Sequence, residues 1–295
     1  MTLHPPACGI TGLDHTLVGV RDLESARKTW QQLGFTLTPR GRHIGWGTGN
    51  YCIMFESGYI ELLGVVDHSQ FLNNLDRFLE RRQGLMGIAF GTDDALACVA
   101  ALQAAGLAPD GPKDLARKLE LPEGDVEPAF HLIFLKPEET PAVKAFICHQ
   151  RTPELVRRKE WLRHANRATR LISVTVVCDD PVKAALGYLP IFGPDRVKVS
   201  DALTVVDCRS SDAANGGGAL RFVTPAGLQL LYADIAPLPS NPLPWIAAMK
   251  IEVADQQRCE DFLRDQNLPV VRTWKRCLVP PELANGCIIE FVERS

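Results

Sequence analysis

One pattern recurs four times along this chain and limits what it can fold into. An apolar strand candidate runs into an Asp, a helix candidate follows, and a Gly or a polar turn stops it. The copies read LDHTLVGVRDLESARKTWQQLG, MGIAFGTDDALACVAALQAAG, RLISVTVVCDDPVKAALG and MKIEVADQQRCEDFLRDQNL, spaced by roughly 70–85 residues. Three further strand candidates follow each helix, so each copy reads as a βαβββ unit. Such a unit has one apolar sheet face that it cannot bury alone, so the units must pair. The simplest pairing is first with second and third with fourth. It predicts an α+β chain of four βαβββ modules in two half-open, barrel-like cups.

The first module is the most informative. Leu13 to Val20 is its opening strand. Asp22 is the helix N-cap, with Trp30 and Leu33 on the apolar face, and Gly34 sits where a left-handed C-terminal residue is wanted. Phe35–Thr38, Asn50–Phe55 and Tyr59–Val65 read as strands, and Gly41 to Gly49 as a Gly-rich connection. The first strand carries a His, His15. The last carries a Glu, Glu61, inside the apolar run YIELL. A lone strand His is ordinarily a satisfied core residue. A second buried polar group on a partner strand makes a shared site the better reading, because an unpaired carboxylate is costly to bury.

After a helical linker over Ser69 to Arg82, the second module begins at Leu85. Counting back seven residues from Asp22 and from Asp94 places Gly87 at the His15 position. Later strands are expected near Lys118–Leu119, over Ala129–Leu135 and over Ala142–His149. GPKDLARKLELPEGDVEP, between them, reads as a loop. Arg151 to Arg167 reads as an exposed linker helix. This divides the chain into a first cup over residues 12–150, a linker over 151–169 and a second cup over 170–295. In the third module strands are expected at Val197–Val199, Ala202–Cys208, Leu220–Thr224 and Gly227–Tyr232, with a glycine turn at 215–218. The same counting sets Ser173 at the His15 position and Gln229 at the Glu61 position. In the fourth module Lys250 and Glu290 fall near the two. The second cup therefore reads as structural or dimerising, which leaves a homodimer open.

Several classes are excluded or disfavoured. The formal charge of −3 gives no reason to expect nucleic acid or an anionic membrane. The Arg/Lys cluster near 157–163 lacks interleaved aromatics and reads as a solvated helix face. No apolar run approaches the length needed to span a bilayer, and the N-terminus has no signal-peptide pattern. Nine Cys without a CxxC pair suit a reducing cytoplasm, in which they act as small buried hydrophobes. Cys148, beside His149, is the one thiol whose neighbour could activate it.

The text LDH at 13–15, LGF at 33–35, RHIGWGTGN at 42–50 and YIELL at 59–63 resembles a module of the vicinal oxygen chelate superfamily, in its glyoxalase-like branch. HQRTPEL and EWLRHAN in the linker are similar to the same branch. The resemblance implies paired modules forming a cup around one site, with the first-strand His and last-strand Glu as metal ligands. It implies a divalent ion (Zn, Fe, Mn or Ni) chelating two adjacent oxygens of a small substrate, in a lyase, isomerase or dioxygenase. A divalent site needs three or four protein donors. His15 and Glu61 supply two, and His131 or His149 of the second module is expected opposite them. His43, in the Gly-rich stretch, is a candidate acid–base group. Glu61 is a candidate ligand and base, and Trp46, Asn50 and Tyr59 are candidate substrate contacts. The alternative is a binding module that uses the same cup, without a full ligand set, to sequester a small molecule.

Overall fold

The computed structural model describes residues 8–200, 203–209, 218–235 and 237–293. The first module runs β1 (Ile10–Gly19), α1 (Leu23–Gln32), β2 (Gly41–His43), β3 (Thr48–Met54) and β4 (Tyr59–Val65). Asp22 caps α1 by accepting from the Ser25 amide at 2.8 Å, and α1 buries Leu23, Ala26 and Trp30. Gly34 has φ +89°, and a Cβ there would meet Asn166 at 2.8 Å, so the position requires Gly. The second strand is not at Phe35–Thr38. Pro39 lacks the N–H that a ladder needs, and Thr38 is tied to Cys52 of β3 by one backbone bond and one through its hydroxyl. The strand falls instead at β2, inside the stretch expected to be a connection.

After α2 (Leu75–Arg81), the second module runs β5 (Gly84–Thr92), α3 (Ala95–Ala104), β6 (Asp110–Leu119), β7 (Ala129–Phe134) and β8 (Ala145–Gln150). Much of the segment expected to be a loop is β6. Its alternation of Leu115, Arg117 and Leu119 with Asp114, Ala116 and Lys118 sets one face toward the interior. The eight strands close into a barrel in the order β1-β4-β3-β2-β6-β7-β8-β5. The first pair of modules thus goes beyond a cup: β2 pairs with β6 and β1 with β5, leaving no free edge.

The linker holds α4 (Pro153–Val156) and a 3₁₀ turn at Lys159–Trp161. It is less exposed than expected, because Val156, Trp161, His164 and Asn166 are all buried. Asn166 donates to the Leu33 carbonyl at 2.8 Å and so satisfies the end of α1. His164 Nδ1 accepts from the Thr36 amide at 3.1 Å, and its Nε2 donates to the Met54 carbonyl at 3.0 Å.

The third module has β9 (Ala168–Val177), α5 (Pro181–Leu186), α6 (Leu189–Phe192), β10 (Val197–Val199), β11 (Thr204–Asp207) and β12 (Ala219–Val223). Of the expected glycine turn, residues 215–217 lie outside the described residues. Gly227–Tyr232 is not a strand. It falls within α7 (Pro225–Leu231) and the turn after it; Thr224 caps this helix through the Gly227 amide and Pro225 opens it. The fourth module has β13 (Trp245–Val253), α8 (Gln256–Asp265), β14 (Val271–Arg272), β15 (Cys277–Val279) and β16 (Ile288–Glu293). Modules three and four form an open eight-stranded sheet, β10-β11-β12-β9-β13-β16-β15-β14. Leu228 of α7, with Tyr232 and Ile235, packs on Val177, Val223, Ala248 and Ile288 and fills one end of this second cup.

Barrel and sheet share one core. It joins Trp30, Phe35 and Phe90 of the barrel half to Leu171, Phe222, Met249 and Phe291 of the other. The Trp30 indole also donates to Asn285 at 3.0 Å. All nine cysteines are buried and free. Among the described residues no helix is long and apolar enough to cross a membrane.

Burial lowers the His164 pKa to about 4, so the folded state holds it neutral while the unfolded chain protonates near pH 6.5. The stability it contributes is complete above pH 6.5 and is lost as pH falls toward 4. Urea denaturation between pH 7 and 4.5 should show a loss of about 2–3 kcal/mol assignable to this group. His164→Gln should remove that part of the pH dependence.

Candidate active site in the closed barrel

The site rests on a register shift in β1. Leu13 pairs with Phe90 of β5 and His15 with Ala89, so Asp14 is an extra residue on the β1 side. Such a bulge breaks strict alternation. Leu13 consequently joins the shared core rather than the cavity, although strict alternation would set it on the face of His15. The Asp14 carboxylate comes round to His15, with Oδ1 at 2.5 Å from Nδ1. Gln150 Nε2 holds the same carboxylate at 2.9 and 3.2 Å, and the Arg157 guanidinium stands at 3.9 Å. An ionised carboxylate can only accept, so Nδ1 carries a proton, and in the neutral form of the ring it is Nε2 that presents the lone pair.

His15 is 2% exposed. Its ring stacks on Tyr59, with centroids 4.2 Å apart, and meets Phe146 edge-on at 5.5 Å. The parallel pairing of β1 with β4 sets Leu17 beside Glu61 and His15 beside Tyr59. Glu61 therefore lies diagonal to His15, with Oε2 at 3.8 Å from Nε2. Its other oxygen accepts from Asn50 Nδ2 at 2.5 Å and faces His43 Nε2 at 3.7 Å. His43 Nδ1 is bonded to the Thr48 hydroxyl at 2.8 Å. Burial pushes the Glu61 carboxyl up. The imidazoles, the Arg117 guanidinium and the Asn50 bond outweigh it and hold the group below the ordinary carboxylate range. Burial, aided by Arg117, holds His43 below its ordinary value against the pull of Glu61. At neutral pH the pair is thus an anion beside a neutral imidazole.

These groups floor a largely apolar cavity, part of it open to solvent. Leu17, Leu63, Met86, Phe130, Leu132 and Phe146 form much of its wall. Trp46 stands 6.0 Å from His43 and packs edge-on to Phe71 at 5.0 Å. Leu72, Asn73 and Leu75, around the start of α2, complete the rim. Tyr59 and Trp46 therefore line the cavity as candidate contacts, whereas Asn50 acts from behind by orienting Glu61.

The second module contributes no imidazole. Phe130, Leu132 and Phe134 of β7 face the cavity, so His131 faces away. Its Nε2 meets Asp114 at 3.1 Å, and His149, directly opposite it on β8, packs against it with rings 5.6 Å apart on the same outer face. At the His15 position stands Gly87, where even a Cβ would come within 2.9 Å of the Lys144 carbonyl. At the Glu61 position stands Phe146, since Ala89 pairs with Phe146 as Leu17 does with Glu61. Among the described residues no three His, Cys, Asp or Glu side chains stand so as to hold a metal ion. With Gly87 and Phe146 in two of the four symmetry-related positions, the residues present do not fit the expected divalent site.

The second cup is corrected in the same way. Gln229 lies on α7, and the residue at the Glu61 position is Arg221, paired with Thr175. Lys250 corresponds to Leu17 rather than His15, and Ala248 takes the His15 position. Glu290 is held by Lys250 at 2.8 Å, Arg221 at 3.6 Å and Arg276 at 3.8 Å.

Sequence reasoning missed Asp14 and Arg117. Asp14 lies within LDH itself, but strict alternation sends it to the opposite face, and a bulge is not legible from one strand. Arg117 alternates with two inward leucines, a signal outweighed by its charge. The bulge generates a direct test. Long-range ¹H–¹⁵N correlation spectra should show His15 as the Nδ1–H tautomer, and Asp14→Ala should return it to the Nε2–H form.

A model of the glyoxalase-like domain matches residues 13–192. No curated protein matches the chain in sequence. Among solved structures the chain is similar to a hypothetical protein from Staphylococcus aureus, at TM-score 0.67 and 16% identity, covering 96% of this chain and 99% of that one. A fusion of a xylose isomerase-like TIM barrel with a 4-hydroxyphenylpyruvate dioxygenase follows at TM-score 0.60 and 13% identity, with 99% of this chain matching 50% of that one. A mutant 4-hydroxymandelate synthase from Streptomyces coelicolor matches at TM-score 0.56 and 14% identity, over 99% of this chain and 93% of that one. At these identities the structures establish shared fold. The family match, over more than half of its length, shows that the chain belongs to the glyoxalase-like domain family.

Proposed function

We propose that the barrel is the active site of a lyase or isomerase that moves a proton on a small oxygenated substrate. The observation that carries this reading is the Asp14–His15 hydrogen bond. It fixes the proton on Nδ1 and leaves the Nε2 lone pair beside the cavity, the arrangement a general base requires. The sequence pattern offered Glu61 as the base. The geometry favours His15, because Glu61 is held below the ordinary carboxylate range and one of its oxygens is occupied by Asn50.

In the step proposed, His15 Nε2 takes a proton from a carbon next to a carbonyl, and the C–H electron pair moves onto the carbonyl oxygen. The imidazolium formed lies between two carboxylates, Asp14 behind and Glu61 in front at 3.8 Å. With the Thr48 hydroxyl donating to Nδ1, His43 presents an Nε2–H to the developing oxyanion. Return of the proton to a neighbouring carbon completes an isomerisation, and loss of a β-substituent completes an elimination. The apolar wall keeps water from the intermediate.

A panel of small ketones, 2-oxo acids and hydroxyketones incubated in D₂O tests this by NMR. The protein should catalyse deuterium incorporation at the carbon next to the carbonyl, and His15→Gln should slow it by about 10²–10⁴-fold. Binding without exchange would replace this reading with sequestration. Protein purified without chelator should carry far less than one equivalent of divalent metal; a stoichiometric ion lost in His15→Ala would overturn the metal-free step.

A further inference from the structure

Arg117 is a buried cation on the cavity wall that has no carboxylate at contact distance among the described residues; Glu61 acts on it only from farther off. It is 2% exposed, on the inward face of β6. Its guanidinium donates to Cys52 Sγ at 2.9 Å, a thiol kept neutral because burial raises it to about 11. Among the described residues Nε has no acceptor and no carboxylate stands within 4.0 Å of the guanidinium. The face of Phe130 lies 5.6 Å from the guanidinium carbon. A buried guanidinium in this state is costly unless an anion answers it. Glu61 does not play that part at contact distance, since Asn50 and the two imidazoles surround it. The charge balance of the wall agrees. Arg117 and Lys144 are its cations and Glu61 its one carboxylate, while Tyr59 and Cys148 are pushed far up by burial and stay neutral.

The position of Arg117 is as informative as its charge. β2 and β6 pair His43 directly with Arg117. An oxyanion seated on Arg117 therefore lies beside the imidazole that the proposed mechanism assigns to the substrate oxygen. On the same wall stand Leu115, Phe130 and Leu132, with Leu72 and Leu75 toward the rim.

We propose that the ligand of this cavity is a monoanion, a carboxylate with an apolar body, whose charged oxygens pair with Arg117 while the body lies along the leucine and phenylalanine wall. The inference rests on the barrel being the ligand site, and its test needs no turnover. The probes are hexanoate and benzoate, with hexanamide and benzamide as neutral isosteres, titrated calorimetrically at constant ionic strength. The carboxylates should bind saturably and the amides at least about tenfold more weakly, the difference expected for a charge-assisted bond in a dry site. Arg117→Met should abolish that preference while leaving the melting temperature unchanged or higher, because it removes a buried charge that has no carboxylate at contact distance.

A structural role for Arg117 predicts the opposite, a lower melting temperature with the preference retained, and that result overturns the proposal. So do amides that bind wild-type protein as tightly as carboxylates, a comparison that decides the matter even if Arg117→Met fails to fold. His15→Gln separates this inference from the catalytic one. Carboxylate binding retained where no exchange occurs in any variant sinks the proton-transfer step alone. Exchange without any carboxylate preference sinks the ligand class alone.

Discussion

A βαβββ unit makes a sheet with one apolar face, and nothing within the unit can cover it. The architecture follows from that constraint. Modules join through their first strands, β1 with β5 and β9 with β13, and the paired sheets curl around what must be hidden. The first and last strands of a module run parallel and adjacent, so a polar residue on each meets the other without help from any loop. His15 and Glu61 meet for this reason. The site is a property of strand pairing before it is a property of chemistry.

The two halves spend that geometry differently. In the barrel the interior stays partly empty, and a carboxylate, two imidazoles and a guanidinium face it. In the open sheet, Leu228, Tyr232 and Ile235 occupy one end of the equivalent space, and the equivalent Glu290 is ringed by Lys250, Arg221 and Arg276. The common core between them, closed by the Trp30–Asn285 hydrogen bond, makes the sheet a support on which α1 and the barrel rest. The linker residues His164 and Asn166 extend that support to the end of α1.

Periodicity made the module order and the His15–Glu61 meeting legible, because both follow from local patterns and parallel pairing. Where the reading failed, a local signal was overridden by something non-local. The apolar run at Gly227–Tyr232 looked like a strand until the Thr224–Pro225 start is weighed, which favours a helix. The segment around Arg117 looked like a loop because its charges read as solvent-facing, whereas barrel closure draws it into the wall. His131 and His149 could not be assigned a face without the register, and a one-residue difference decided against both. Asp14 was hidden by a bulge, a feature that only pairing reveals.

The rim of the cavity has a different origin from its floor. His15, His43 and Glu61 lie on strands of the repeated unit, but Phe71, Leu72 and Asn73 come from the connection between the first and second units, and Trp46 is anchored to Phe71 across it. That connection has no counterpart within a module. Insertions or exchanges there can reshape the mouth without disturbing a single strand register. Relatives that keep the same floor are thereby free to diverge in the molecules they admit.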